Sequence, residues 1–195
     1  MSELFLLLPT VFALVTPIVG IRAVFKGEYK PQRITKFIFL FITSLFVATL
    51  FAQGERNGII LAIVQWLGSM IFFVLSIKYG MGGNTKSDYF VLVMALFAIL
   101  IWKTTGNPTL ALYMSILADF VGFLPTLIKA FSLPYTEDPK YYASDVIAGF
   151  FSLISLKSVL LQDLAFPLYI FLVNFLCMGL VLIGRRVKKL YELSN

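Results

Sequence analysis

Seven apolar spans divided by short polar segments leave this chain few folds to choose from. Residues 4–25, 37–53, 58–77, 110–131, 142–161 and 164–183 meet or approach the roughly 20 apolar residues a helix needs to cross a hydrocarbon core. A further stretch, 89–102, is short and ambiguous by itself. Composition points the same way. The 195 residues are 59% hydrophobic and only 13% charged, with a mean hydropathy of +0.91. A soluble domain is roughly half apolar, and a chain of this size has too little interior to hide that much surface. The expected fold is an all-α membrane bundle of seven helices. The first span lacks a basic lead segment and a small-residue cleavage site and runs into Pro17, so it reads as a retained helix rather than a signal peptide.

Charge placement decides the ambiguous span. With seven spans and the N-terminus outside, the 16 Lys and Arg residues divide 13 to 3, with Arg56, Lys103 and Lys157 alone on the outer face. Removing 89–102 turns that division into 9 to 7. The expected topology is therefore seven spans with a cytoplasmic C-terminus, in the cell membrane. The net charge of +6 sits at helix ends, where topology needs it, and does not point to nucleic acid. Cys177 is the one cysteine and lies in an apolar run, which excludes a disulfide framework and a thiolate metal site. The chain has no histidine, the commonest metal ligand and proton shuttle. No metal, cofactor or catalytic group is expected.

The spans group as three, one and three, and the two triplets overlay without a gap at an offset of 108 residues. Pro17 then falls on Pro125, Pro31 on Pro139, Glu55 on Asp163 and Lys78 on Arg186. About 75 aligned positions hold seven identities: Leu4/Leu112, Phe12/Phe120, Pro17/Pro125, Pro31/Pro139, Ser44/Ser152, Leu45/Leu153 and Met70/Met178. A triplet ends on the face opposite its start, so a parallel second copy requires one more crossing between them. This predicts a first repeat over 1–78, a loop and linker helix over 79–107, and a second repeat with a short tail over 108–195. The linker stretch 89–102 carries no polar side chain between its end aromatics, as suits a helix facing lipid. A duplicated three-helix unit is a transporter plan, with a path between two half-bundles.

Pro17 and Pro125 each lie late in the first helix of a triplet, each followed by a basic residue, Arg22 or Lys129. With the stretch Leu124-Pro125-Thr126-Leu127-Ile128-Lys129, this resembles the PQ-loop superfamily, and in plan the seven-helix SWEET sugar transporters. The resemblance implies a 3+1+3 bundle that carries a small solute. The family's glutamine is not beside either proline, which precede Ile18 and Thr126; Pro31-Gln32 spells the pair within a loop.

Asp119 is the strongest single candidate for a functional group. It lies midway along 110–131, where a carboxylate costs several kcal/mol unless it faces protein or water. Ser115, Asp119, Gly122 and Thr126 recur at i, i+4, i+7 and i+11 on one stripe. The stripe either lines a path, with Asp119 binding a cationic or polyhydroxyl solute or a proton, or packs a neutral acid against a neighbouring helix. Gln65, Ser69 and Ser76 form a similar stripe, and Gly149, Ser152, Ser155 and Ser158 another that reads as helix-packing glue. The 108-residue offset superposes Trp66 on Asn174. An aromatic face opposite an amide can hold a sugar or flat ring, and asparagine and tryptophan near the central site of SWEET transporters resemble it. Lys157 reads as an interfacial lysine able to reach toward Asp119. Trp102 and Lys103 read as an interfacial anchor, and Ser144-Asp145 as the cap of the sixth helix.

The reading that joins these features is a carrier for a small polar solute, sugar-like or a vitamin or metabolite. It works by alternating access, with Pro17 and Pro125 as hinges because proline removes a backbone hydrogen bond. Its partners are the solute and the bilayer; homo-oligomers are compatible with it. An intramembrane enzyme lacks a histidine, a metal cluster or a hydrolase elbow, and a retinal protein would need a lysine within 164–183. A non-transporting receptor or scaffold of the same bundle type is the alternative.

Overall fold

Every span becomes a helix, and most helices overrun the apolar stretch that marks them. The computed structural model describes residues 3–27, 31, 33–54, 58–80, 86–156 and 159–194. Its helices are α1 (Glu3–Phe25), α2 (Arg33–Gln53), α3 (Gly58–Tyr79), α4 (Lys86–Thr105), α5 (Pro108–Ser132), α6 (Pro139–Ser155) and α7 (Leu161–Ser194), with a 3-10 turn at Pro134–Thr136. The hydrogen-bond ladder of a helix does not stop where hydropathy falls. Thus α4 reaches 20 residues rather than the 14 of its apolar stretch, and α7 runs through Arg185, Arg186, Lys188 and Lys189 to a length of 34.

Five helices, α2, α3, α4, α5 and α7, are long and apolar enough to cross a bilayer. The apolar part described for α1 is Ala13–Phe25, and α6 has 17 residues. The chain is an integral membrane protein built as an all-helical bundle.

Two expectations about α6 change. Ser144 and Asp145 do not cap it. The cap is Asp138, which accepts from the Lys140 N–H at 3.0 Å with Pro139 in the first helical position, where a missing N–H costs nothing. That places Asp145 inside the bundle rather than at an end. The helix also ends at Ser155 and not at 161, and Lys157 and Ser158 lie outside the described residues.

Between α4 and α5 the connection is only Gly106-Asn107. Gly106 takes φ +63°, the left-handed conformation that ends a helix and suits a residue without Cβ. Asn107 then accepts from the N–H groups of Thr109 at 2.9 Å and Leu110 at 3.2 Å. So short a link forces α4 and α5 to lie antiparallel side by side. The inner stripe of α4, Val91, Ala95 and Ala98, is buried, whereas Tyr89, Phe90, Val93, Leu96, Phe97 and Leu100 are exposed. This helix packs on α5 and on α2.

The remaining helices close a ring. α3 lies between α1 and α2, and α7 between α5 and α6; α1 meets α6 and α2 meets α5. Close approach of α6 to α7 depends on Gly149, where a Cβ would stand 2.9 Å from the Phe171 backbone nitrogen. Ser152 and Ser155 on the same stripe are buried, as small residues at a membrane helix contact should be. One end of the bundle is filled by Phe46, Leu50, Leu61, Leu112 and Phe166, with the Phe46 and Phe166 rings 4.8 Å apart. At the other end a smaller cluster of Leu127, Ala130, Tyr142, Cys177 and Val181 joins α5, α6 and α7.

Candidate functional site

Where the ring of helices is not filled by apolar side chains, it encloses a cavity of about 980 Å³. All seven helices contribute to its wall. Its rim is charged, with exposed Arg22, Lys26, Asp138 and Lys140. Phe46 and Asp119 lie at the far end. Ten residues of α5 separate Asp119 from Lys129 at the rim, a depth of about 15 Å at the helical rise per residue.

Asp119 is 8% exposed, and one of its carboxylate oxygens accepts the hydroxyl proton of Tyr169 on α7. The Lys36 ammonium stands close enough for its charge to act on this carboxylate. A polar group here is therefore held by designated partners rather than left to lipid, which lowers the cost of burying it. Gln65 on α3 also lines the cavity and donates from its amide nitrogen to Asp145 on α6 at 3.0 Å. Asn174 on α7 is 5% exposed and donates from its amide nitrogen to the Ile170 carbonyl at 2.9 Å.

The structure divides the residues singled out from sequence. Asp119, Gly122 and Thr126 of one stripe line the cavity together with Gln65, Ser69, Asn174 and Pro17. Ser115, on the same stripe as Asp119, is instead fully buried and bonds back to the Ala111 carbonyl at 2.8 Å. Ser76 is likewise turned to its own helix, donating to the Phe73 carbonyl at 2.6 Å. Trp66 is not among the cavity-lining residues; its indole N–H donates to the Ser44 hydroxyl of α2 at 3.0 Å. Trp66 and Asn174 thus occupy equivalent places in sequence without sharing the cavity wall. Both α1 and α5 remain helical through Pro17 and Pro125. Pro17 is buried, facing Gly68 of α3, while the side chain of Pro125 lies outside the described residues.

Several groups of the site carry little signal in sequence. Tyr169 looks like one more aromatic in an apolar run, and only its hydroxyl placed opposite Asp119 gives it a role. Asp88 opens α4 yet is 6% exposed, accepting from the Thr35 hydroxyl of α2 at 2.7 Å. At the rim, Glu137 gathers three helices. Its carboxylate accepts from Lys129 at 2.9 Å and from the Tyr142 hydroxyl at 2.7 Å, and its carbonyl accepts from Arg185 at 2.7 Å. Arg185 also lies 5.8 Å above the Tyr135 ring. This clasp holds the α5–α6 connection onto α7.

No known family model, curated protein or solved structure matches the chain. Function has to be read from the cavity.

Proposed function

We propose that the protein is a membrane carrier that passes a small polar solute between two half-bundles, α1–α3 and α5–α7, with α4 as the link. One observation carries this reading. A deep cavity walled by every helix, with polar side chains set among apolar ones, reaches the middle of the bundle and ends at a buried carboxylate, and packed aromatics close the far side. A purely structural bundle has no use for such a space, because burying Asp119, Gln65 and Asn174 around a cavity is less favourable than filling it with apolar side chains.

The helix pairings support the duplicated plan. Under the 108-residue offset, α1 corresponds to α5, α2 to α6 and α3 to α7. The contacts α1–α3 and α2–α3 then correspond to α5–α7 and α6–α7, and α1–α6 to α5–α2. Two like units related in this way could rock about the cavity and open it to one face at a time. If the charged rim is the cytoplasmic end, as the distribution of Lys and Arg expects, this is the inward-open arrangement. The resemblance to PQ-loop and SWEET-like proteins fits the same plan.

The test is uptake into proteoliposomes screened over sugars, amino acids, amines, vitamins and nucleosides. A solute accumulated by the parent and not by Asp119→Asn supports the reading. Binding of a solute without any uptake favours the receptor alternative.

A further inference from the structure

The polar groups deep in the bundle commit donors to the protein itself. The Tyr169 hydroxyl gives its proton to Asp119. The Gln65 amide nitrogen gives one to the Asp145 carboxylate and the Asn174 nitrogen one to the Ile170 carbonyl. Both acceptors can only accept, so the two amides are fixed with nitrogen toward the protein. Each amide keeps its oxygen and a second N–H. Asp119 adds its second carboxylate oxygen, which has no partner among the described residues, as has the amide oxygen of Asn174. Both residues are more than nine-tenths buried and line the cavity.

Nearer the rim, the chain supplies a cation of its own. The Lys36 ammonium lies 5.5 Å from the centroid of the Phe39 ring and 5.4 Å from that of Phe72, and all three residues line the cavity. A ring face attracts a positive charge through its quadrupole. Two such faces around an ammonium show what kind of group this space accommodates.

We infer that the solute is an organic cation bearing several N–H donors, a primary ammonium or guanidinium compound. Its charged end sits on Asp119 and Asn174, and Lys36 is a tethered competitor held in the two-ring clamp. The inference rests on the carrier reading for the word solute, but the chemical class follows from the buried carboxylate, the open Asn174 oxygen and the two ring faces. A neutral sugar leaves the Asp119 carboxylate without a counter-charge and an anion is repelled by it, whereas an organic cation meets both that charge and the open Asn174 oxygen.

The test uses the full-length protein in detergent with agmatine, 1,4-diaminobutane, glucose and succinate, read by calorimetry and by the unfolding midpoint. Agmatine and the diamine should bind and raise the midpoint, while glucose and succinate leave it unchanged. Asp119→Asn should weaken agmatine at least about tenfold, as loss of a charged hydrogen-bonding partner does. Lys36→Gln, at the half-buried rim where folding is less at risk, should tighten agmatine by about threefold to tenfold, since it removes the competing cation. The inference is overturned if neither amine binds the parent, if glucose or succinate binds in preference, or if Lys36→Gln leaves agmatine binding at the parental value or weakens it. Uptake separates the two readings. Agmatine binding without agmatine uptake keeps the class of ligand and removes the carrier, and uptake of glucose without amine binding does the reverse.

Discussion

Gln65 on α3 donates to Asp145 on α6 across the line between the first three helices and the last three. Direct packing between α3 and α6 is slight, so this polar bridge spans a part of the bundle that apolar contacts do not hold. Replacing Gln65 with leucine removes the donor and leaves a buried carboxylate short of one partner. A loss of about 1–3 kcal/mol is expected, seen as a lower unfolding midpoint in detergent. An unchanged midpoint would mean that the bridge contributes nothing to holding the halves.

The contact of α6 with α7 is tested at Gly149. An alanine there would put its Cβ within 2.9 Å of the Phe171 nitrogen and 3.0 Å of its Cα. Backbone atoms cannot swing aside as a side chain can, so the helices must separate. Gly149→Ala should cost about 1–3 kcal/mol, the range for overpacking. Gly179→Ala, where an added Cβ meets nothing within 4 Å, is the matched control and should leave the midpoint where it is.

How far the sequence could be read depends on what each signal measures. Hydropathy measures transfer into lipid, and it locates six of the helices; the apolar stretch of α4 is too short to decide by itself, and the placement of Lys and Arg supplies that span. It says nothing about where a ladder of hydrogen bonds ends, so the polar ends of α4 and α7 carry no hydropathy signal. The i, i+4, i+7 stripe put Asp119, Gly122 and Thr126 on one wall. Ser115 failed because a stripe extended far enough along a helix leaves the cavity and enters the packed end. Ser144-Asp145 reads as a cap because a Ser-Asp pair near a helix start is a good local match. Asp138 beside Pro139 is a better one, and a partner 80 residues away in sequence leaves no local trace. Tyr169 was invisible for the same reason.

The topology can be checked at exposed positions. Thr105 and Ser132 are both exposed and lie at opposite ends of α5 or its approach. With the charged rim facing the cytoplasm, Thr105→Cys should react with an impermeant thiol reagent on intact cells. Ser132→Cys should react only after permeabilisation. Native Cys177 is fully buried and should stay silent. The reverse pattern would invert the topology expected from the basic residues.

The hinge role of the prolines has its own test. Proline at position 17 cannot donate to the carbonyl four residues earlier, and alanine restores that bond and stiffens the rod. Pro17→Ala and Pro125→Ala should both fold and should slow the change of cavity accessibility from one face to the other. If both variants switch at the parental rate, these prolines are packing features, as the buried position of Pro17 against Gly68 would then explain.

Alternating access itself can be measured without knowing the solute. Thr126 lines the cavity between Asp119 and the charged rim, so a cysteine there, in a Cys177→Ala background, reports which face the cavity opens to. The carrier account predicts that Thr126→Cys reacts with impermeant thiol reagent from the charged-rim side, and also from the opposite side when the protein samples its second state. A single cross-link that holds the rim open should abolish only the second reaction. Reaction from the rim side alone, in every condition and with any solute present, would contradict the account and leave a fixed basin in the membrane.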